Sequence, residues 1–154
     1  MDEALGNRTS KEGYKYAPAF SGGKVVKSMA GGICQTTTTM YNAALFANLQ
    51  IIERYKHGLP VTYINKGRDA TIYQNVYDLK VKNNYEYPLY LKSYIDTKKG
   101  LLFVKIYGYK KEYNIKVTTE YKKKNGKSYY YTYRHVYDLN NALLKKELIS
   151  TDVF

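Results

Sequence analysis

The sequence predicts an α+β fold: one main helix packed on a mixed, mostly antiparallel β-sheet, with a β-rich C-terminal extension. Three observations carry that expectation. Apolar residues at Met40, Ala43, Ala44, Ala47 and Ile51 recur at i, i+3, i+4, i+7 and i+11, the spacing of one buried helix face. From Tyr77 onward the period falls to about two, with Tyr77, Leu79 and Val81 alternating with Asp78, Lys80 and Lys82. Asn125-Gly126 lies between two such alternating runs, and that dipeptide is the strongest short-range hairpin signal.

Taken in order, residues 1–29 read as loop and short strand, with turn punctuation at Gly6-Asn7, Pro18 and Ser21-Gly22-Gly23 and a strand at Lys24-Val25-Val26. Gly31-Gly32 opens the helix, which is expected over about 34–50. Ile51-Ile52 begins a strand that Lys56-His57-Gly58-Leu59-Pro60 breaks. Val61–Ile64 and Ala70–Tyr73 read as strands on either side of a loop at Asn65–Asp69. Further strands are expected at 77–82, 89–95, 101–108, 113–119, 128–136 and 143–148. Most of the 20 tyrosines fall on these strands, where an amphipathic ring suits a half-buried sheet face.

The chain has 154 residues, enough for one domain with a real core. Its 25 Lys+Arg against 13 Asp+Glu give a net charge of +12 and call for an anionic neighbour. Helix-turn-helix, zinc-finger and aromatic RNA-binding signatures are absent, so nucleic acid is not expected as a partner. Anionic wall polymers satisfy the same charge. No run approaches the roughly 18 apolar residues of a membrane span, and no contact of this stretch with a membrane is expected.

Cys34 is the single cysteine and follows the glycine pair, which puts it in the first turn of the helix. Free N–H groups and the positive end of the helix dipole favour thiolate there. Two readings stand open: a small buried hydrophobe, or a nucleophile with an oxyanion site beside it. The polar run Gln35–Thr39 and a histidine, His57, just beyond the helix favour the second. A zinc site from Cys34, His57, His135 and a carboxylate lacks CxxC or HExxH spacing, and no cofactor is expected.

The run Gly31-Gly32-Ile33-Cys34-Gln35, then Thr38-Thr39-Met40-Tyr41-Asn42-Ala43-Ala44, resembles the signature of VanW-type domains of bacterial cell-envelope proteins. The flanks agree: Leu5–Thr9, Gly13-Tyr14, Ala17-Pro18 and Gly23–Val26 upstream; Ile52-Glu53-Arg54, His57, Pro60-Val61, Tyr63, Gly67–Thr71, Asn83-Asn84 and Tyr87–Tyr90 downstream. Ala30 stands where the family often has a third glycine, and Thr36-Thr37 replace a common Val-Ser pair. Leu148–Asp152 resembles the segment that ends this region in larger family members. The resemblance implies a catalytic core over residues 1–95 and a β-rich extension over 96–154.

The family is associated with glycopeptide-antibiotic resistance, and some members are understood to be L,D-transpeptidases that cross-link peptidoglycan stem peptides through a cysteine acyl-enzyme. The resemblance therefore implies an extracytoplasmic protein of a bacterial cell envelope, tethered by a further segment, with stem peptides as its substrates. On that reading Cys34 is the nucleophile, His57 the general base and acid, and Asp69 the carboxylate that orients His57. Gly31, Gly32 and Gln35 supply the oxyanion site, and Arg68 forks a stem-peptide carboxylate. Thr37 and Thr38 either cap the helix or bind substrate, and Arg68 and Asp69 either act so or pair with one another. The alternative to an enzyme is a non-catalytic wall-binding module with Cys34 buried.

Overall fold

A computed structural model describes residues 1–154 apart from 22, 23 and 75. The turn expected at Ser21-Gly22-Gly23 thus falls partly outside the described residues. The architecture is α+β, with one main helix on several small antiparallel sheets and a β-rich C-terminal part. In order the elements are α1 (Asp2–Leu5), a 3-10 turn (Ser10–Glu12), β1 (Tyr16–Ser21), β2 (Lys24–Met29) and α2 (Ile33–Phe46). Then follow β3 (Gln50–Glu53), β4 (Lys80–Lys82), β5 (Tyr90–Asp96), β6 (Leu101–Tyr107), β7 (Asn114–Lys124), β8 (Lys127–Tyr137) and β9 (Leu143–Val153). The pairs β1–β2, β3–β4 and β5–β6 form two-stranded sheets, and β7–β8–β9 form a three-stranded sheet. The single mixed sheet expected from sequence is therefore several sheets, and every pair of strands among the described residues is antiparallel. The β5–β6 hairpin spans residue 95, with Asp96 opposite Leu101.

Other expectations are corrected. The helix ends at Phe46, not near 50, and Asn48, with φ of 56°, turns the chain into β3. Asparagine tolerates that left-handed conformation better than most residues. Val61–Ile64 forms no strand; Val61 is buried and, among the described residues, no neighbouring backbone pairs with the run. Ala70–Tyr73 contributes only the isolated bridges Tyr55–Thr71 and Tyr73–Tyr77. The Asn125-Gly126 turn is as expected, with both residues at positive φ between β7 and β8.

The core is built from Tyr41, Leu45, Ala70 and Leu79, and Met40, Ile51, Val117 and Ile149 pack against it. Val117 lies on β7 and Ile149 on β9, so the C-terminal sheet closes the same core as α2. The buried stripe of α2 is Thr37, Thr38, Tyr41, Ala44 and Leu45, rotated from the apolar face predicted by periodicity. Thr37 sits inside because its hydroxyl donates to the Ile33 carbonyl one turn back at 3.0 Å.

The loop before α2 is set by close approach. A Cβ on Gly31 would run into the Ala17 carbonyl and come within 2.8 Å of the Pro18 oxygen, so β1 lies directly on this glycine. Gly31→Ala is expected to destabilise the fold by about 3 kcal/mol, because rigid backbone must move. Urea denaturation followed by circular dichroism measures it. Ala30 adopts φ of 56°, a left-handed conformation that glycine reaches with less strain than alanine.

Candidate functional site

The site forms where one stripe of α2 meets the segment 68–72. Cys34, Thr38 and Asn42, at i, i+4 and i+8, share a helix face. Asn42 donates to the Arg68 carbonyl at 2.9 Å and accepts from Arg68 Nε at 2.8 Å. Thr38 Oγ1 donates to the Ala70 carbonyl and accepts the Ala70 N–H, both at 3.0 Å. Two turns of side-chain-to-backbone pairing thus deliver Thr71 and Ile72 to Cys34. The Sγ lies 3.3 Å from Thr71 Oγ1 and 3.6 Å from the Ile72 carbonyl.

Cys34 is half-buried at the start of α2, after Gly32 at φ of 91°. Ile33 N–H is taken by the Ala30 carbonyl at 3.2 Å and Gln35 N–H by the Gly32 carbonyl at 3.0 Å. Among the described residues the N–H groups of Gly32 and Cys34 have no acceptor. These two, and not that of Gln35, are the donors left free at the helix start. The Gln35 side chain is exposed.

The ring of His57 lies close enough to the Cys34 sulfur for each group to shift the titration of the other. Its Nδ1–H donates to Asp69 Oδ2 at 2.6 Å, and its backbone N–H donates to the same oxygen at 2.8 Å. Asp69 therefore fixes the ring twice, which leaves Nε2 for the thiol and for the Tyr63 hydroxyl, 3.5 Å away. The rings of Tyr63 and His57 meet edge to face.

Electrostatics follow from these contacts. Burial works against a Cys34 thiolate, but the hydrogen bonds from His57 and Thr71, that at the Ile72 backbone and the charge of His57 together lower the thiol from its ordinary 9.0. Burial likewise opposes the His57 imidazolium, yet the Asp69 and Cys34 hydrogen bonds and charges raise it from 6.5 to about 9. Asp69 is held below its usual carboxylate range: burial opposes its charge, while His57 and Arg54 favour it more. Burial, with the charges of Cys34 and Asp69, pushes Tyr63 up to about 12, so its hydroxyl stays a proton donor. Both shifts run in the direction that favours a thiolate–imidazolium pair over a neutral one.

Thr37 and Thr38, expected to cap the helix or bind substrate, are buried and bonded internally, and the cap position Gly32 carries no side-chain hydrogen bond. Arg68 and Asp69 do not pair with each other. Asp69 Oδ1 accepts from Arg54 at 3.0 Å, and Arg68 lies over the Phe46 ring, 5.2 Å from its centroid, with its two terminal nitrogens unbonded among the described residues. Burial lowers the Arg68 guanidinium from 12.5. Sequence reasoning gave no role to Arg54, Thr71 or Asp152, although each lies in a stretch that carries the resemblance: Ile52-Glu53-Arg54, Gly67–Thr71 and Leu148–Asp152. His135 lies on β8 with Nε2 3.0 Å from Thr118 Oγ1. Among the described residues no group of three or more His, Cys, Asp or Glu is placed to hold a metal ion. Two clefts lie elsewhere, one lined by Glu53, Tyr77 and Lys80, the other by Phe46, Tyr85 and Tyr109.

The family described as VanW like protein matches residues 1–107. This chain belongs to the VanW-like family. It is also 38% identical over 93 residues to YoaR, an uncharacterized protein of Bacillus subtilis (strain 168), a match that covers 60% of this chain and 31% of that protein. The chain thus spans about a third of the length of its curated relative. No solved structure matches. Cys34, Arg54, His57, Arg68 and Asp69 all lie within the VanW-like match, whereas β7, β8 and β9 follow it.

Proposed function

We propose that this VanW-like chain is the thiol acyl-transfer core of a peptidoglycan L,D-transpeptidase in a bacterial cell envelope. One observation supports it above the others: a half-buried cysteine at a helix N-terminus, beside a His57 ring that is itself bonded to Asp69. The Cys34 thiolate attacks the carbonyl carbon between the third and fourth residues of a stem peptide. The N–H groups of Gly32 and Cys34 receive the developing oxyanion. As the C–N bond breaks, the His57 imidazolium gives its proton to the departing D-amino acid, and a thioester remains on Cys34. Neutral His57 then takes a proton from an acceptor amine as that amine attacks the thioester. The C–S bond breaks, Cys34 leaves as thiolate and the cross-link is complete. Water in place of the amine gives the carboxypeptidase product.

Asp69 keeps Nδ1 occupied, so Nε2 handles both proton transfers. The terminal nitrogens of Arg68, unbonded among the described residues, suit a stem-peptide carboxylate. With a disaccharide-tetrapeptide, wild type is expected to release a D-amino acid and form dimers, read by liquid chromatography and mass spectrometry. Cys34→Ala is expected to do neither. Capture on insoluble peptidoglycan that survives Cys34→Ala, with no turnover by wild type, would instead favour a wall-binding module.

A further inference from the structure

A buried ion cluster joins the C-terminal sheet to this site. Arg54, just after β3, turns its guanidinium between two carboxylates. Its Nε donates to the Asp69 carbonyl at 2.6 Å, and one terminal nitrogen donates to Asp69 Oδ1 at 3.0 Å. Both terminal nitrogens fork Asp152 on β9, at 2.5 and 2.8 Å. The Arg54 side chain is 7% exposed and each carboxylate 4%, so the cluster is dry. The Tyr41 ring packs 5.5 Å from the guanidinium carbon. A row of alternating charge results: Cys34, His57, Asp69, Arg54, Asp152.

Geometry gives each member a distinct task. Asp69 spends Oδ2 on His57 and Oδ1 on Arg54, so the position of Arg54 fixes the carboxylate that orients the histidine. Arg54 is itself held by the fork on Asp152, a bidentate pair whose directionality a single contact lacks. The same sheet grips the loop that carries Asp69, since Thr132 on β8 donates to the Gly67 carbonyl at 2.7 Å. Arg134, also on β8, donates to the Leu49 carbonyl at 2.7 Å just before β3.

We infer that Asp152 and Arg54 are positioning residues for the Cys34–His57–Asp69 site, which is held in working geometry only while the C-terminal sheet β7–β8–β9 is docked. The sheet beyond the VanW-like match is then a working part of the site. This rests on the Cys34–His57–Asp69 reading above but not on its substrate.

The test is a proton NMR titration of the His57 ring in the full chain, with His135→Gln to assign the two histidines. In Asp152→Asn the guanidinium loses its anchor and a nearby anion disappears. Both changes disfavour imidazolium, so the His57 midpoint is expected to fall from about 9 toward 6.5 by about one pH unit or more. Asp152→Glu, which keeps the charge, is expected to recover part of that fall. A folded Asp152→Asn with an unchanged midpoint overturns the inference. Should Asp152→Asn not fold, Arg54→Lys keeps a cation but loses the fork, and an unchanged midpoint there overturns it equally. The expected shifts in a protein whose wild type gives no transpeptidation product would support the positioning role while contradicting the reaction.

Discussion

Replacing His57 with alanine is expected to slow alkylation of Cys34 at pH 7 by up to about tenfold, and to cancel or reverse that deficit near pH 9. The magnitude follows from two opposing effects. An ordinary thiol titrating at 9.0 is about 1% ionised at pH 7, so a lowered thiol can gain at most about 100-fold in reactive fraction. A thiolate stabilised by its surroundings is a weaker nucleophile, which takes back about half of that gain on a logarithmic scale. Iodoacetamide rates from pH 5 to 10, read by intact mass, measure the difference. Superimposed profiles for wild type and His57→Ala would mean that the histidine does not activate the thiol.

The same groups set a stability window. His57 binds its proton more tightly folded than unfolded, so its contribution is complete below 6.5 and vanishes as pH rises through about 9. Cys34 and Asp69 titrate below their ordinary values, so their contributions are present at high pH and are lost as pH falls through the folded values. The imidazolium arm therefore sets the alkaline limit.

The second large effect is on folding. Arg54→Ala is expected to cost about 3–5 kcal/mol, well above the loss of a surface pair, because it strands a buried carboxylate. Asp69 keeps both bonds from His57 after the change. Asp152 loses both of its hydrogen bonds among the described residues, at a site where its side chain is 4% exposed. The fork stabilises less than the two short distances suggest, since all three groups are desolvated, and the penalty appears only when one partner goes. Urea midpoints of wild type and Arg54→Ala give the value; a loss under about 1 kcal/mol would mean that water reaches the cluster.

The sequence made some of this legible and hid the rest for physical reasons. Cys34 and the glycines before it carry a local signal, because a helix start needs its turn residues next to it in the chain. His57 and Asp69 were named for their chemistry, and the fold brings both into contact with one another and with the thiol. Arg54 and Asp152 are 98 residues apart, so nothing local in either marks the pair. Periodicity misjudged the inner face of α2, since Thr37 and Thr38 read as polar while their bonded hydroxyls are buried. Val61–Ile64 has the residues of a strand but no partner backbone among the described residues, and strand propensity without pairing leaves irregular chain.

The central claim is that Cys34 forms an acyl-enzyme with a stem peptide. Purified protein incubated briefly with a disaccharide-tetrapeptide, acid-quenched and weighed intact, tests it most directly. An adduct with the mass of the substrate less its terminal D-amino acid, present in wild type, absent in Cys34→Ala and diminished in His57→Ala, is the predicted result. No adduct at any time, with a Cys34 thiol that resists alkylation until the protein unfolds, would contradict it and make Cys34 a core residue.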